Sequence, residues 1–312
     1  MEFSIPGVEV NPFIPFLVAF GISFFTSMGG ISGAFLLLPF QVSILNFTSP
    51  AVSSTNHLFN VIAIPGGIIR YIKEGRMVWP LVLIVIIGTM PGVLIGTLIR
   101  IQYLPDPVKF KIFAGTVLMY IAVRLLFDLL KKSGKDTKSA EEQFQKLAKE
   151  FRQQKSSEDL PRIFIKKFGV TSLEYDFYGQ RYKLRSIGII FISFIVGIVG
   201  GIYGIGGGVF LATIFVGIYK LPVYTIAGAA LMGTFITSLI AVVFYMSLAP
   251  FFPGISVEPN WLLGFLFGAG GFLGMYAGAR MQKFVPAKII KWILLICILF
   301  VASKYLSLLF SL

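Results

Sequence analysis

The chain has 312 residues, 56% of them hydrophobic and only 13% charged, with a mean hydropathy of +0.85. Soluble domains carry roughly 25% charged residues, so a water-soluble globule and a disordered chain are both excluded, which leaves an all-α polytopic membrane protein. A single cysteine, Cys297, and a single histidine, His57, exclude a disulfide framework, a Cys-based metal site and any site needing two histidines.

In chain order, the first residues hold Glu2 and Glu9 but no base ahead of the first apolar run, unlike a cleaved signal peptide. The apolar stretch 12–45 is too long for one span at 1.5 Å per residue. It is interrupted by Ser27-Met28-Gly29-Gly30-Ile31-Ser32-Gly33, and so predicts a helix–break–helix hairpin. Spans of about 20 residues follow at 50–70, 78–99 and 108–130. A polar loop, 131–186, separates them from a second over-long stretch, 187–219, broken at Gly200-Gly201-Ile202-Tyr203-Gly204-Ile205-Gly206-Gly207-Gly208. Spans at 222–246, 260–281 and 288–310 complete the chain. The expected organisation is a first membrane repeat at 12–130, a cytoplasmic loop at 131–186 and a second membrane repeat at 187–310.

Of the net charge of +13, the loop 131–186 supplies most of the base, with 14 of the 27 Lys and Arg and 8 of the 14 Asp and Glu. Lys and Arg are retained on the cytoplasmic side, and acids interleaved with the bases argue against a nucleic-acid partner. If each broken stretch returns to the side it entered, Arg70, Lys73, Arg76, Lys220, Arg280, Lys283, Lys288 and Lys291 lie inside, and only three short-loop bases, Arg100, Lys109 and Lys111, lie outside. Single crossings instead leave eight outside. The hairpin arrangement is therefore expected, in the plasma (inner) membrane, with both termini outside.

Within the loop, Ser139 and Glu142 form a capping-box pattern, and Phe144, Leu147, Ala148 and Phe151 share one helical face. They predict an amphipathic helix, and 173–178 with 180–184 around Gly179 predict a small hairpin. A solvated linker is the favoured role for the whole loop, ahead of a regulatory one.

The two halves repeat. At an offset of 182, Trp79 falls on Trp261, Gly88 on Gly270, Gly92 on Gly274, Gly96 on Gly278 and Lys109 on Lys291. At an offset of 174, Gly30-Ile31-Ser32-Gly33 falls on Gly204-Ile205-Gly206-Gly207. One hairpin plus three crossings per half makes the halves inverted, the arrangement of secondary transporters whose substrate sits near the midplane. The six spaced glycines are read as helix-packing positions, since small residues let backbones approach closely in lipid.

Backbone that leaves the helix inside a bilayer must be buried in protein or line a polar cavity. A helix that restarts there presents free N–H groups and a positive dipole end to an anion. The substrate-binding candidates are therefore Gly29, Gly30, Ser32 and Gly33 in the first break and Gly204, Gly206, Gly207 and Gly208 in the second. Tyr203 and the intramembrane polar residues Asn56, His57, Asn60, Thr234 and Thr237 join them as lining residues. Ser238 is also polar there, although Ser and Thr alone commonly bond back to their own helix. No carboxylate lies mid-span, so proton coupling would have to rest on His57 or on the substrate, and no phosphate-binding loop is present through which ATP could supply the energy. An exported anion needs neither, because the membrane potential is worth about 2.3 kcal/mol per charge per 100 mV.

With two Gly-rich breaks in matching halves, a long middle loop and a glycine-rich later helix, the sequence resembles the TauE/SafE-like family of sulfite and organosulfonate exporters over 16–130 and 187–310. Tyr203-Gly204-Ile205-Gly206-Gly207-Gly208-Val209-Phe210 is similar to that family's GIGGG-type motif, from which Gly30-Ile31-Ser32-Gly33-Ala34-Phe35 departs by Ser and Ala. The resemblance implies a secondary transporter, commonly an exporter, of small sulfur-containing anions. It implies no enzyme activity and no cofactor or metal. The expected partners are a small anionic substrate and the lipid bilayer; the oligomeric state, a homo-oligomer included, stays open. A gated anion channel or a carrier of other small organic anions is the alternative. A membrane-embedded enzyme would need a nucleophile–base pair or metal cluster that the spans lack, and the polar breaks count against a scaffold.

Overall fold

The computed structural model describes residues 10–28, 31–73, 77–130, 163–169, 171–177, 180–217, 219, 221, 223–281 and 287–310. The helices α1 (Phe13–Met28), α2 (Ala34–Ser43), α3 (Ala51–Lys73), α4 (Trp79–Gln102) and α5 (Pro107–Leu130) come first. Strands β1 (Phe164–Phe168), β2 (Leu173–Phe177) and β3 (Gln180–Leu184) follow. Then come α6 (Ser186–Tyr203), α7 (Gly208–Gly217), α8 (Val223–Leu248), α9 (Trp261–Met281) and α10 (Ala287–Leu306). The predicted Ser139–Glu142 helix lies outside the described residues, as do Gly29 and Gly30.

Among the described residues, five helices are long and apolar enough to cross a membrane: α4, α5, α6, α8 and α9. Their outward faces carry exposed Leu83, Ile87, Phe191, Ile195, Val243 and Phe265, a surface that lipid tolerates and water does not. Helix α3, at 23 residues, is as long but less apolar, because its first turns carry Ser53 to His57 and Asn60. All six of those side chains are fully buried. A helix enclosed by other helices does not need an apolar surface of its own.

The repeat read from the sequence returns as matched packing. Trp79 and Trp261 each begin a helix, α4 and α9. Helix α4 packs along α6, and α9 packs along α1, so each half lends its first helix to the other. The register is the same in both crossings. A Cβ on Gly88, Gly92 or Gly96 would run into the backbone oxygen of Ile190, Phe194 or Ile198; one on Gly270, Gly274 or Gly278 would meet that of Phe16, Phe20 or Phe24. The glycines differ by 182 and their carbonyl partners by 174, the two offsets of the sequence repeat. The six glycines are thus contact points between crossing backbones. Helices α3 and α8 pack on each other at the centre, and α5 packs on α10.

The two arms of each interrupted stretch hardly touch one another: α1 lies mainly on α9 and α6 mainly on α4. The interruption separates two arms that dock on different neighbours, because the glycine register gives the long arms a closer partner across the halves. The short arms α2 and α7, 10 residues each, reach about 15 Å, half the ~30 Å hydrocarbon core, and rest on α3 and α8.

The end of the middle loop is also more ordered than a solvated linker. Strands β2 and β3 pair antiparallel from Leu173↔Leu184 to Phe177↔Gln180, as the hairpin expectation required. Strand β1 adds to the β2 edge, pairing Phe164 with Asp176. The alternation of β2 turns Leu173 and Tyr175 inward, both fully buried. The Tyr175 hydroxyl shares a hydrogen bond of 3.2 Å with Thr225 Oγ1 at the start of α8. This small sheet is docked on the helix bundle. Its third strand was missed because Phe164-Ile165-Lys166-Lys167-Phe168 does not alternate polar and apolar residues, and every residue of it is exposed.

Candidate functional site

The second break is built by glycine conformation. Helix α6 ends where Gly204 turns left-handed at φ +87°, with the N–H groups of Gly204 and Ile205 both bonded to Gly200 O, at 2.8 and 2.9 Å. Gly206 and Gly207 are also left-handed, at φ +65° and +85°. Three such residues in four are cheap only for glycine. The chain then re-enters a helix at Gly208. The first break reaches the same result with different residues: α1 ends at Met28, and Gly33 caps α2 in an ordinary right-handed conformation, φ −69°. There Ser32 supplies a side chain where the second break has Gly206, and its Oγ accepts from Ala34 N at 3.3 Å.

Both breaks leave amides bare. Among the described residues, no carbonyl accepts the N–H of Ser32, Gly33, Gly206 or Gly207. These four are two equivalent pairs, since 32 and 33 fall on 206 and 207 at the offset of 174.

Helices α3 and α8 present polar side chains to the breaks in a matching pattern. Asn60 accepts from Ser32 Oγ at 2.5 Å through its Oδ1 and donates from Nδ2 to Ser238 Oγ at 3.3 Å. Ser238 in turn shares a 3.1 Å hydrogen bond with His57 Nδ1. The other ring nitrogen, His57 Nε2, is buried and makes no hydrogen bond of ordinary geometry among the described residues. The result is one buried chain, Ser32–Asn60–Ser238–His57, that joins the two halves. On the other side, a Cβ on Gly206 would stand 2.9 Å from both Ser238 Oγ and Thr234 Cγ2. At an offset of 178, Asn56 falls on Thr234 and Asn60 on Ser238, and each pair faces the break of its own half.

Asn56 ties the breaks together. Its Nδ2 donates to Ala34 O and to Gly204 O, both at 3.0 Å, while its Oδ1 accepts from Gln41 Nε2 at 3.2 Å. Tyr203 also bridges the halves, donating to Phe35 O at 2.9 Å, so its hydroxyl is held by the fold. Thr234 and Thr237 close the wall but spend their hydroxyl protons on their own helix, on Ala230 O at 2.9 Å and Gly233 O at 2.8 Å. Gly208 packs directly beneath Thr234.

The structure therefore brings together Ser32, Gly33, Asn56, His57, Asn60, Tyr203, Gly204, Gly206, Gly207, Gly208, Thr234 and Thr237, with Gly29 and Gly30 outside the described residues. Sequence reasoning passed over Gln41 and Arg100, and left Ser53, a polar residue on the same helix face as His57, out of the site. Gln41 is the lone amide in an apolar helix, which is a usable signal. Arg100 was assigned to a loop because it follows an apolar run, but it sits in the last turn of α4 and is fully buried. Its Nε donates to Ser53 Oγ at 3.3 Å, and Ser53 Oγ donates on to Ile202 O at 3.1 Å beside the second break.

Among the described residues, ten α-helices surround a polar centre and turn apolar faces outward, the architecture of a multi-pass membrane protein. The chain matches the family model described as Sulfite exporter TauE/SafE over residues 15–305 and belongs to that family. It is 23% identical over 288 residues to the "Probable membrane transporter protein YunE" of Bacillus subtilis (strain 168), an alignment covering 89% of this chain and 91% of that protein. No solved structure matches the chain.

Proposed function

We propose that the protein is a secondary transporter that exports small sulfur-containing anions, sulfite or organosulfonates, through the paired breaks. The observation that carries this reading is the pairing of bare amides, Ser32–Gly33 and Gly206–Gly207, at equivalent positions in the two halves. Free N–H groups at a helix start favour an anion without needing a full positive charge. The same arrangement supports inverted halves: the crossing glycines keep one register in both, as a pseudo-two-fold in the membrane plane requires. In this reading the termini lie outside, 131–186 lies in the cytoplasm, and Asn60 and His57 orient the anion against the amides while Asn56 holds the two breaks at their spacing. Alternating access opens one break and then the other as α1 with α9, and α6 with α4, move as packed pairs. The membrane potential, negative inside, drives the anion outward.

Flux from proteoliposomes loaded with sulfite, sulfate, isethionate or acetate tests this. Saturable efflux of sulfite or the sulfonate, accelerated by an inside-negative potential, is the expected result. Equal leakage from protein-free vesicles for all four would overturn it.

A further inference from the structure

We propose that Arg100, together with the hydroxyls of Tyr245 and Thr97, forms an oxyanion-binding site at the end of α4, one side chain, Ser53, away from the second break. The proposal rests on the anion-transport reading and names the group that recognises the negative charge.

Arg100 is fully buried, and no carboxylate among the described residues forms an ion pair with it. Its neighbours are all neutral. Nε donates to Ser53 Oγ, Nη2 donates to Thr48 O at 3.1 Å, Nη1 donates to Leu104 O, and the guanidinium lies 3.7 Å from the centre of the Phe110 ring. A guanidinium has five N–H donors, so these bonds leave two unused and the charge uncompensated. Burying a lone ion is expensive unless a counter-ion meets it. Stabilising the end of the α4 dipole does not explain the burial, because a base at a helix end does that from the surface.

A second observation points the same way. The Tyr245 hydroxyl lies beside Thr97 and Ser53, yet neither Tyr245 OH nor Thr97 Oγ1 makes a hydrogen bond of ordinary geometry, and both side chains are fully buried. Two hydroxyls without a well-formed bond and a guanidinium with spare donors form a buried donor-rich cluster. Small oxyanions such as sulfite, sulfonates and carboxylates fill that need, since planar guanidinium pairs with two oxygens at once. Tyr245 clusters with Ile101 and Val257, and Val257, together with Glu258, walls an open hollow of about 300 Å³ in the loop between α8 and α9. The site belongs to one half only, because the repeat places Gln282 where the first half has Arg100. Anion affinity is therefore unequal at the two ends of the path.

The test uses the full chain, purified and reconstituted, with sulfite as the probe and two readouts. The first is KM for sulfite flux. The second is the rise in Tm that sulfite causes in detergent, which needs no transport. Arg100→Gln is expected to raise KM at least about tenfold and to abolish the Tm rise, while Arg100→Lys keeps part of both. Tyr245→Phe, which removes one oxygen and keeps the ring, is expected to raise KM several-fold, and it carries the test if Arg100→Gln does not fold. Unchanged KM and Tm response in Tyr245→Phe, or in a folded Arg100→Gln, would overturn the site. If the wild type transports no anion but sulfite still raises its Tm through Arg100, the transport reading fails and the site stands.

Discussion

The side-chain amide of Asn56, in the first half of the chain, donates to the backbone oxygen of Gly204, in the second break, at 3.0 Å. The same nitrogen holds Ala34 O of the first break at the same distance, so one side chain fixes the spacing between the two sets of bare amides.

Replacing Asn56 with Ala strands two buried carbonyls and Gln41 Nε2. Each unsatisfied buried group costs about 1–3 kcal/mol, so Asn56→Ala is expected to lower stability by several kcal/mol. Asn56→Asp is expected to be worse, since a carboxylate cannot donate to either carbonyl. Thermal unfolding of the purified variants in detergent measures both, and an Asp variant as stable as wild type would contradict the bridge.

The two helix crossings predict matched effects. Gly92→Ala and Gly274→Ala each place a methyl against a backbone oxygen, of Phe194 and Phe20 respectively. Overpacking of this kind costs about 1–3 kcal/mol, and the two losses should be alike because the contacts are equivalent. Gly21→Ala is the control. A Cβ there meets nothing within 4 Å, and the variant should be as stable as wild type or better, given the poor helix propensity of glycine. Unequal losses at Gly92 and Gly274 would argue against a shared register.

Much of this was legible in the sequence. The offset of 182 located both glycine ridges, because close backbone crossings admit glycine and little else, but not the carbonyls they meet. The breaks were legible for the same reason: three left-handed residues within Gly204–Gly207 leave a glycine cluster as their trace. The exchange of first helices between halves was not legible, since apolar periodicity says that a face is buried but not by which helix. Arg100 was hidden because a base after an apolar run usually marks a span end in water, and only the packing of Phe110 and Tyr245 around it reveals a buried charge. Strand β1 was hidden because an edge strand exposed along its length needs no alternation.

The docked sheet predicts a response to pH. The hydrogen bond from Lys166, and then the charges of Lys166 and Arg181, hold the Asp176 carboxyl below the usual carboxylate range. A depressed carboxylate contributes stability above its unfolded pKa, and that contribution is lost as pH falls through the folded value. Asp176→Asn should therefore weaken the sheet at pH 7, and the difference from wild type should begin to shrink below about pH 4, the unfolded value, and vanish only once pH falls past the lower folded value. Near-ultraviolet circular dichroism of the stacked Tyr175–Tyr182 pair reads it. Identical spectra and melting at pH 7 would mean the pair contributes nothing.

Sulfite counterflow through Gly206→Leu, compared with wild type at equal amounts of correctly inserted protein, tests the glycine breaks most directly. At φ +65° and with Thr234 and Ser238 at 2.9 Å from a Cβ, no leucine fits without moving the second pair of bare amides. The account predicts that exchange falls to the level of empty vesicles while the variant still inserts and runs as a single species. Wild-type exchange in that variant would contradict it.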